Sequence, residues 1–394
     1  MTEVSTTDPG RATRSRLLRA AAALLIPLAF VSACWGGAPG GDDRSTASIT
    51  VTPASGSRNV EPNTKVRVSA EGGKLTTVAV TDSDGDQVAG RLSGDGTTWT
   101  ASRFLGPGER YTVSARAVDA QGLASTAEAT FTTLTPTKRL RTMVSPLKGW
   151  TVGIGQPVVV KFKHAIPDRR AVQDALQVVS TPAVPGAWYW IDDRTVHWRP
   201  KEYWPAGTKV TLRVRLTGVK AGEGMYGEED RDVSFTVGRA QVIRIDVRKH
   251  RMTVLRDGAV IRTFPITAGK EGFETRSGTK VILEKHPAKR MQSASIGISD
   301  PSHPDYYDLR VKYAMRVTWS GEFIHQAEWS TGAQGRTNVS HGCVGLAPAD
   351  AAWLFENTRI GDPVEVTGTD REMELGNGYG DWNVPWSTWR KGNA

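Results

Sequence analysis

Alternating apolar and polar residues recur at short intervals between residues 47 and 137. The stretches TKVRVSAEG, TTVAVTDSDG, ERYTVSARAVD and AEATFTTL share this period of two, and Gly, Pro, Asn and Asp lie between them. Short runs of period two with regular turn signals are typical of β-sandwich strands. The pattern therefore predicts an all-β sandwich module over 47–137.

A second module over 138–238 repeats features of the first. The stretch TTWTASRFLGPGERYTVSARA at 97–117 resembles RTVHWRPKEYWPAGTKVTLRVRL at 194–216, with tryptophan, glycine and the following strand at matching places. Internal similarity of this kind predicts two tandem modules. Neither contains an arrangement of side chains that indicates chemistry. We interpret both as spacers or docking surfaces, with His164 and His197 as ordinary surface or half-buried residues.

The pattern changes at residue 239, where a third domain begins that extends to 368. AQVIRIDVRKHRMTVLRDGAV predicts two strands joined by a turn, and YAMRVTWSGEFIHQAEW continues the β pattern. PADAAWLFEN has helical spacing and predicts a helix over Pro348–Asn357, with Leu354 and Phe355 facing inward and a last strand after it. The chain is therefore predicted to be mostly β, with one short helix in this domain.

The last segment, 369–394, is rich in Gly, Asn and aromatic residues. It contains Tyr379, Trp382, Trp386 and Trp389. Aromatic side chains exposed on a free tail would favour aggregation. We therefore predict that the tail packs on the third domain or the second sandwich.

The first 33 residues are organised like an export signal. Arginines precede an apolar run that begins at Leu17 and is too short for an ordinary spanning helix. The run ends in Val-Ser-Ala-Cys, which resembles a bacterial lipobox and implies lipidation of Cys34. The alternative is a plain secretory signal cut near Ala33.

A lipidated Cys34 determines where the protein is expected to be. Acyl chains on this residue would hold it on the cell membrane, facing the cell wall outside the cytoplasm. The Gly-rich residues 34–46 have nothing to bury and are predicted to form a flexible tether.

The charge of the chain is mildly basic, with 50 Lys and Arg against 41 Asp and Glu. There is no dense basic run and no aromatic platform motif, so nucleic acid is not a predicted partner. A net charge of +9 favours approach to an anionic membrane or a polyanionic cell envelope.

Cys343 lies in the stretch NVSHGCVGL, and a packed thiol, a disulfide, a metal ligand and a nucleophile are the possible roles. A lipidated Cys34 could not form a disulfide with it. Zinc would have three ligands in Cys343, His325 and His341, but the closely paired ligand spacing that makes a zinc motif specific is missing. A nucleophile needs a base and oxyanion donors, which the two histidines and the backbone at Gly342 could supply.

The stretch HQAEWSTGAQGRTNVSHGCVGL resembles the signature of the L,D-transpeptidases, cysteine enzymes that cross-link bacterial peptidoglycan. The resemblance covers residues 240–368, and two immunoglobulin-like modules behind a lipidated N-terminus are similar to actinobacterial members. It implies catalytic roles for Cys343 as nucleophile, His325 as general base, and His341 and Gly342 as oxyanion and pocket residues. It implies substrate contacts for a lid tyrosine, a rim tryptophan and two residues beside the thiol: Tyr307, Trp329, Ser340 and Gly345.

Sequence order alone leaves the base open between two histidines. Gly342 indicates a sharp turn that separates His341 from Cys343, whereas His325 follows a strand that can pair beside the cysteine loop. We therefore predict His325 as the base.

Two positions depart from the family pattern. Gly345 stands where an Asn or Arg is usual, and Ile296 stands where a second lid tyrosine is common. Both positions concern substrate handling, so the departures are expected to change rate or substrate preference.

The resemblance implies acyl transfer without a cofactor or a metal. Cys343 would attack the third residue of a tetrapeptide stem, release D-alanine and pass the acyl group to the amine of a second stem, which makes a 3-3 cross-link. Carbapenem β-lactams would be acylating inhibitors. An L,D-carboxypeptidase of the same fold and a non-catalytic wall-binding lipoprotein are the alternatives.

Overall fold

The computed structural model describes residues 44–394, and β-strands dominate their secondary structure, as predicted. The predicted signal peptide, the predicted lipidation at Cys34 and the tether as far as Asp43 lie outside the described residues. Within residues 44–394, no helix is long and apolar enough to cross a membrane.

The first sandwich has two sheets whose strand orders are β1-β2-β5-β4 and β3-β6-β7. Its longest strand reads RYTVSARAVD, and every second residue of that strand is buried, so the period of two in the sequence becomes one inward face. The strands are β1 Ser48–Thr52, β2 Arg67–Glu71, β3 Gly73–Thr81, β4 Gly90–Leu92, β5 Thr98–Ala101, β6 Arg110–Asp119 and β7 Ala124–Thr132.

The second sandwich has the strand orders β10-β18-β15-β12 and β13-β14-β11-β9, with a small third sheet, β16-β17-β8. Its strands are β8 Lys138–Leu140, β9 Thr142–Ser145, β10 Thr151–Val152, β11 Val158–Phe162, β12 Leu176–Thr181, β13 Gly186–Trp190, β14 Thr195–Pro200, β15 Lys209–Arg215, β16 Lys220–Gly222, β17 Met225–Gly227 and β18 Asp230–Val237. Helix α1 spans Arg169–Asp174, and Asp168 caps it by accepting from the Ala171 N–H.

All six residues of β14 are buried, because both faces of this strand are covered. Val196 and Trp198 face the sandwich core. On the other face, His197 Nδ1 lies 3.0 Å from both carboxylate oxygens of Asp381 in the C-terminal tail. The expectation that His197 is a surface or half-buried residue is therefore wrong: only 3% of it is exposed, since a segment far along the chain covers it.

The tail packs on the second sandwich through its aromatic residues. Trp389 is fully buried, stacks on Tyr189 and donates from Nε1 to the Ala187 carbonyl. The Arg199 guanidinium lies 4.9, 5.4 and 4.8 Å from three indole rings, at distances suited to cation–π contact; they are those of Trp382, Trp386 and Trp389. Two short helical turns shape the tail, the 3₁₀ turn Asp381–Asn383 and α3 Trp386–Trp389.

The third domain contains two sheets, with the orders β21-β20-β19-β27-β22 and β23-β24-β25-β26. Its core joins both sheets to helix α2, whose Leu354 is fully buried and whose Phe355 is half-buried. The predicted helix is confirmed with the same bounds. The elements are β19 Gln241–Asp246, β20 Arg251–Arg256, β21 Ala259–Pro265, β22 Gly278–Val281, β23 Glu284–Gln292, a 3₁₀ turn Ser293–Ile296, β24 Asp308–Arg316, β25 Phe323–Gln326, a 3₁₀ turn Glu328–Ser330, β26 Val344–Leu346, α2 Pro348–Asn357 and β27 Pro363–Thr367.

Candidate active site

A cavity of about 190 Å³ opens beside the second sheet of the third domain. It brings together most of the residues that the sequence singled out. Its lining consists of Thr267, Met291, Tyr307, Leu309, His325, Ala327, Trp329, Ser330, Val339, Ser340, His341, Cys343 and Gly345. Gly342 and Ile296 are not in this lining.

Strand pairing explains why Cys343 and His325 share this cavity. Strands β25 and β26 run parallel, and their register pairs His325 with Gly345. Residues two apart on a strand point to the same face. Cys343 directly precedes β26 and lies two residues before Gly345, so continued extended backbone puts its side chain on the same face as His325, and both side chains line the cavity.

The His325 ring is oriented by its own backbone. Its Nδ1 lies 2.6 Å from the carbonyl oxygen of Gln326. A carbonyl only accepts, so Nδ1 carries the proton and Nε2 of the neutral ring keeps its lone pair. Burial lowers the pKa of His325, and the Trp329 ring stacks on the imidazole with centroids 6.0 Å apart. The ring is a neutral base at pH 7.

The Cys343 thiol is also neutral at rest. Its Sγ lies 3.7 Å from the carbonyl oxygen of Gly321, where it can donate a weak hydrogen bond. Burial, reinforced by the charge of Glu322, raises the pKa of Cys343 to about 11, although the Phe323 N–H opposes this shift. A neutral thiol beside a neutral imidazole requires that the proton leaves the sulfur during attack on the substrate.

His341 has a different partner. Its Nε2 lies 2.9 Å from Asp305 Oδ1, and the Lys270 ammonium contacts the same carboxylate. The ring lies between Phe273 and Tyr307, with centroid distances of 4.6 and 5.2 Å. Hydrogen bonds from Lys270 and His341 hold the pKa of Asp305 below its usual value. This geometry favours His325 as the base and gives His341 a place in the cavity wall.

The loop around the nucleophile is held by its own hydrogen bonds. Gly342 has a φ of +115°, a conformation that favours glycine, and its carbonyl accepts from Thr275 Oγ1 at 2.8 Å. Ser340 Oγ donates to the Cys343 carbonyl at 2.6 Å and accepts from the Gly342 N–H at 3.1 Å. Oxyanion donation by Gly342 would require that this last bond is given up, so its predicted role stays a prediction.

The surroundings of Gly345 leave little space for a side chain. A Cβ added there would lie 2.9 Å from Thr267 Cγ2 and 3.0 Å from Ala327 Cβ. Both distances are shorter than ordinary contacts, so the Asn or Arg expected from the family pattern has no room beside Thr267. The sequence alone did not show this, because Thr267 lies on a segment far from Gly345 along the chain.

The segment 293–307 contains both predicted lid positions, Ile296 and Tyr307, and we call it the predicted lid; hydrogen bonds between its first and last residues close it. Tyr307 and Ser293 bond to each other, the Tyr307 N–H to Ser293 Oγ at 3.1 Å and the Ser293 N–H to the Tyr307 carbonyl at 2.9 Å. Tyr307 lines the cavity, and burial raises the pKa of its phenol to about 12. Ile296, within the lid, is 36% exposed.

Sequence reasoning missed the apolar wall of the cavity. Met291 and Leu309 both line it and are opposite each other in the register of β23 and β24. A prediction of that hairpin register would have placed them together. In the part of the chain from 44 to 394, no cluster of His, Cys, Asp and Glu side chains could hold a metal ion.

The comparisons with known proteins match both kinds of domain in this chain. A model of the L,D-transpeptidase catalytic domain matches residues 240–366, and a bacterial Ig domain model matches residues 57–220. L,D-transpeptidase 2 of Mycobacterium tuberculosis (strain CDC 1551 / Oshkosh) is 37% identical over 353 residues, which is 89% of this chain and 86% of the relative. This chain belongs to the L,D-transpeptidase family. The predicted family, fold class and cysteine acyltransferase activity are thereby confirmed.

Other L,D-transpeptidases extend the similarity. L,D-transpeptidase 5 of M. tuberculosis (strain H37Rv) is 37% identical over 86% of this chain and 76% of its own. An L,D-transpeptidase solved in complex with imipenem has a TM-score of 0.51 and 37% identity, covering 59% of this chain and all of the other. L,D-transpeptidase 3 from M. tuberculosis with a faropenem-derived adduct has a TM-score of 0.50 and 34% identity, over 58% of this chain and 98% of the other.

Proposed function

We propose that this L,D-transpeptidase cross-links peptidoglycan stems through a thioester on Cys343. The observation that carries the proposal is that His325 on β25 and Cys343, directly before the paired strand β26, line the same cavity, which is open to substrate. The family supports the substrate, and the local geometry supports the division of labour between thiol and imidazole.

In the first step, Sγ of Cys343 attacks the carbonyl carbon of the third stem residue while His325 Nε2 takes the thiol proton. The tetrahedral intermediate collapses when the C–N bond breaks, and the imidazolium returns the proton to the departing amine of D-alanine. The products are a thioester and neutral His325. Since both groups are neutral at rest, no charge separation precedes substrate binding.

In the second step, an amine from another stem attacks the thioester carbonyl. His325 accepts a proton from this amine, the C–S bond breaks, and the proton passes to the sulfur. The amide of the cross-link forms and the resting pair is restored. Water in place of the amine would make the enzyme an L,D-carboxypeptidase.

Mass spectrometry after incubation with a tetrapeptide stem tests the proposal. The expected result is an acyl mass on Cys343 that is absent in Cys343→Ala, followed by a cross-linked dimer when a second stem is supplied. If a trimmed tripeptide is the sole product, the enzyme is a hydrolase, the L,D-carboxypeptidase alternative. If Cys343 never carries an acyl group, the chain is a non-catalytic wall-binding protein.

Two further expectations belong to this proposal. The relatives solved with imipenem and a faropenem-derived adduct support acylation of Cys343 by carbapenem-type β-lactams, which the mass of the intact protein would show. We also propose that Cys34 is lipidated and anchors the enzyme to the cell membrane, facing the wall. Its test is fractionation of cells carrying Cys34→Ala, which should release the protein from the membrane fraction.

A further inference from the structure

A group of buried charges lies behind the Cys343 loop, and the two steps above do not use it. Lys280, on β22, has no exposed surface, Glu322 is 4% exposed and Arg276 is 8% exposed. Charges taken out of water are costly unless they are closely paired. We call Lys280, Glu322 and Arg276 the buried charge cluster.

The Glu322 carboxylate is the centre of this cluster. Its Oε1 accepts from the Arg276 N–H at 3.1 Å and from Arg276 Nη1 at 3.0 Å. Its Oε2 accepts from the Lys280 ammonium. Arg276 Nε also donates to Glu374 of the C-terminal tail at 2.7 Å.

Chain neighbours of two cluster residues bond to the groups around the thiol. Glu322 stands between Gly321, whose carbonyl accepts from Sγ, and Phe323, whose N–H lowers the pKa of the thiol. Thr275, the neighbour of Arg276, donates to the Gly342 carbonyl. The cluster is therefore joined through the backbone to the groups that surround the sulfur.

Stability alone does not explain such a cluster. Replacing a buried ion pair by apolar residues of similar size is often neutral or stabilising. An apolar residue at a buried strand position such as Lys280 would therefore be expected to fold at least as stably. The placement behind the nucleophile gives the charges another use.

We propose that Glu322, held by Lys280 and Arg276, is a positioning residue that fixes the groups around the Cys343 sulfur and sets its electrostatic surroundings. The proposal deepens the acyl transfer proposed above and rests on it. Its first readout, however, is the reactivity of the thiol itself, which can be measured without a stem substrate.

The charged and titratable groups that face the thiol act in different directions. Burial is the main cause of the raised pKa of Cys343, and the negative charge of Glu322 adds to it, whereas Lys280 and Arg316 lower this pKa. The remaining titratable neighbours in the cavity are His325, His341 and Tyr307. Removing Glu322 or Lys280 should therefore shift the thiol pKa in opposite directions.

The experiment measures the pH dependence of iodoacetamide alkylation of Cys343 in the full chain. Glu322→Gln should lower the midpoint by roughly one pH unit and Lys280→Met should raise it by a similar amount, the usual effect of one nearby charge. Glu365→Gln is the matched control, since it breaks the Arg244–Glu365 pair elsewhere in the same domain and should leave the midpoint unchanged. Midpoints that do not move, or that move in the same direction, would overturn the proposal.

A double variant covers the case in which a single unpaired charge prevents folding. Lys280→Met with Glu322→Leu removes two of the three charges and keeps the side-chain volume, while Arg276 keeps its pair with Glu374. Its melting temperature should therefore stay near that of the wild type. The rate of acylation by the stem should fall roughly tenfold, because the residue next to Gly321 loses its hydrogen bonds to Arg276. A loss of roughly tenfold corresponds to the net value of a hydrogen bond to a charged group. A folded double variant that is acylated at the wild-type rate would show that the cluster is only structural.

Failure of the proposed function would look different. In that case the wild type would not be acylated by the stem, yet the alkylation midpoints of the single variants would still separate. A wild type that is acylated, with variants whose midpoints coincide, would refute the positioning role alone.

Discussion

His341 Nε2 lies 2.9 Å from Asp305 Oδ1, so the residue two positions before Cys343 is bonded directly to the predicted lid. Lys270 pairs with the same carboxylate. Asp305 therefore links the lid, which ends at Tyr307, to the loop that carries Cys343.

Asp305→Asn should loosen this link. The variant loses the ion pair to Lys270 and weakens the bond to His341, so the lid should close less firmly over the stem. We expect kcat/KM for the stem to fall roughly tenfold, the value of a lost charged hydrogen bond, through KM more than kcat. Steady-state kinetics measure this, and the iodoacetamide profile of Cys343 should stay unchanged. An unaltered KM would contradict the lid interpretation.

His325→Ala should remove the base. With the thiol neutral at rest, acylation depends on a group that takes the proton during attack, and its loss should slow acylation by about 10²-fold or more. His341→Ala should also lower activity, through the cavity wall and the lid, but should leave the pH dependence of alkylation closer to wild type. If His341→Ala shifts that dependence and His325→Ala does not, the two roles are reversed.

The raised pKa of Cys343 predicts a measurable pH dependence. Alkylation of the folded protein should rise with a midpoint at about 11 and return toward 9 in denaturant. Between these values the unfolded chain has lost the thiol proton while the folded chain retains it. The free energy of unfolding should therefore fall as pH rises through this window. Cys343→Ala should remove that part of the slope, and denaturant titrations of both proteins at several pH values would show the difference.

Gly345→Ala should destabilise the third domain. The added methyl meets Thr267 Cγ2 and Ala327 Cβ, and overpacking of this kind costs about 1–3 kcal/mol. Adding Thr267→Ser should restore part of the loss, since serine lacks Cγ2 but keeps the hydroxyl that donates to the Thr337 carbonyl. Urea denaturation of the wild type and the two variants measures the effect. A second variant that is no more stable than the first would rule out the steric cause.

Removal of residues 370–394 should lower the melting temperature by several degrees or more, because the deletion uncovers Arg199 and the outer face of β14. A point variant gives a sharper measurement. Trp389→Ala empties a fully buried site and should cost about 3–5 kcal/mol, whereas Trp386→Ala, at a half-buried site, should cost less. If both variants lose the same free energy of unfolding, the burial of the individual tryptophan rings does not determine how firmly the tail is held.

Much of the fold could be predicted from local pattern. The bounds of α2 follow from the helical spacing after Cys343, and the alternation in β6 shows which of its residues are buried. The proximity of Cys343 and His325 is also predictable, because both residues belong to one short sequence motif and the strand before His325 can pair beside the cysteine loop.

The rest depends on contacts between distant segments. His197 is buried because Asp381 reaches it from the tail. Lys280, on β22, is buried because it pairs with Glu322, which directly precedes β25 of the other sheet. A histidine or a lysine in a strand is more often exposed, so the local pattern indicates surface. Gly345 likewise shows its reason only beside Thr267.

The tail bonds to both neighbours, since Asp381 meets His197 of the second sandwich and Asn383 accepts from the Thr279 N–H of the third domain at 2.7 Å. The C-terminal tail thus connects the second sandwich to the third domain. This connection keeps the cavity of the third domain in a fixed orientation relative to the second sandwich. The second sandwich and the third domain would then move together as one unit when the enzyme meets its substrate.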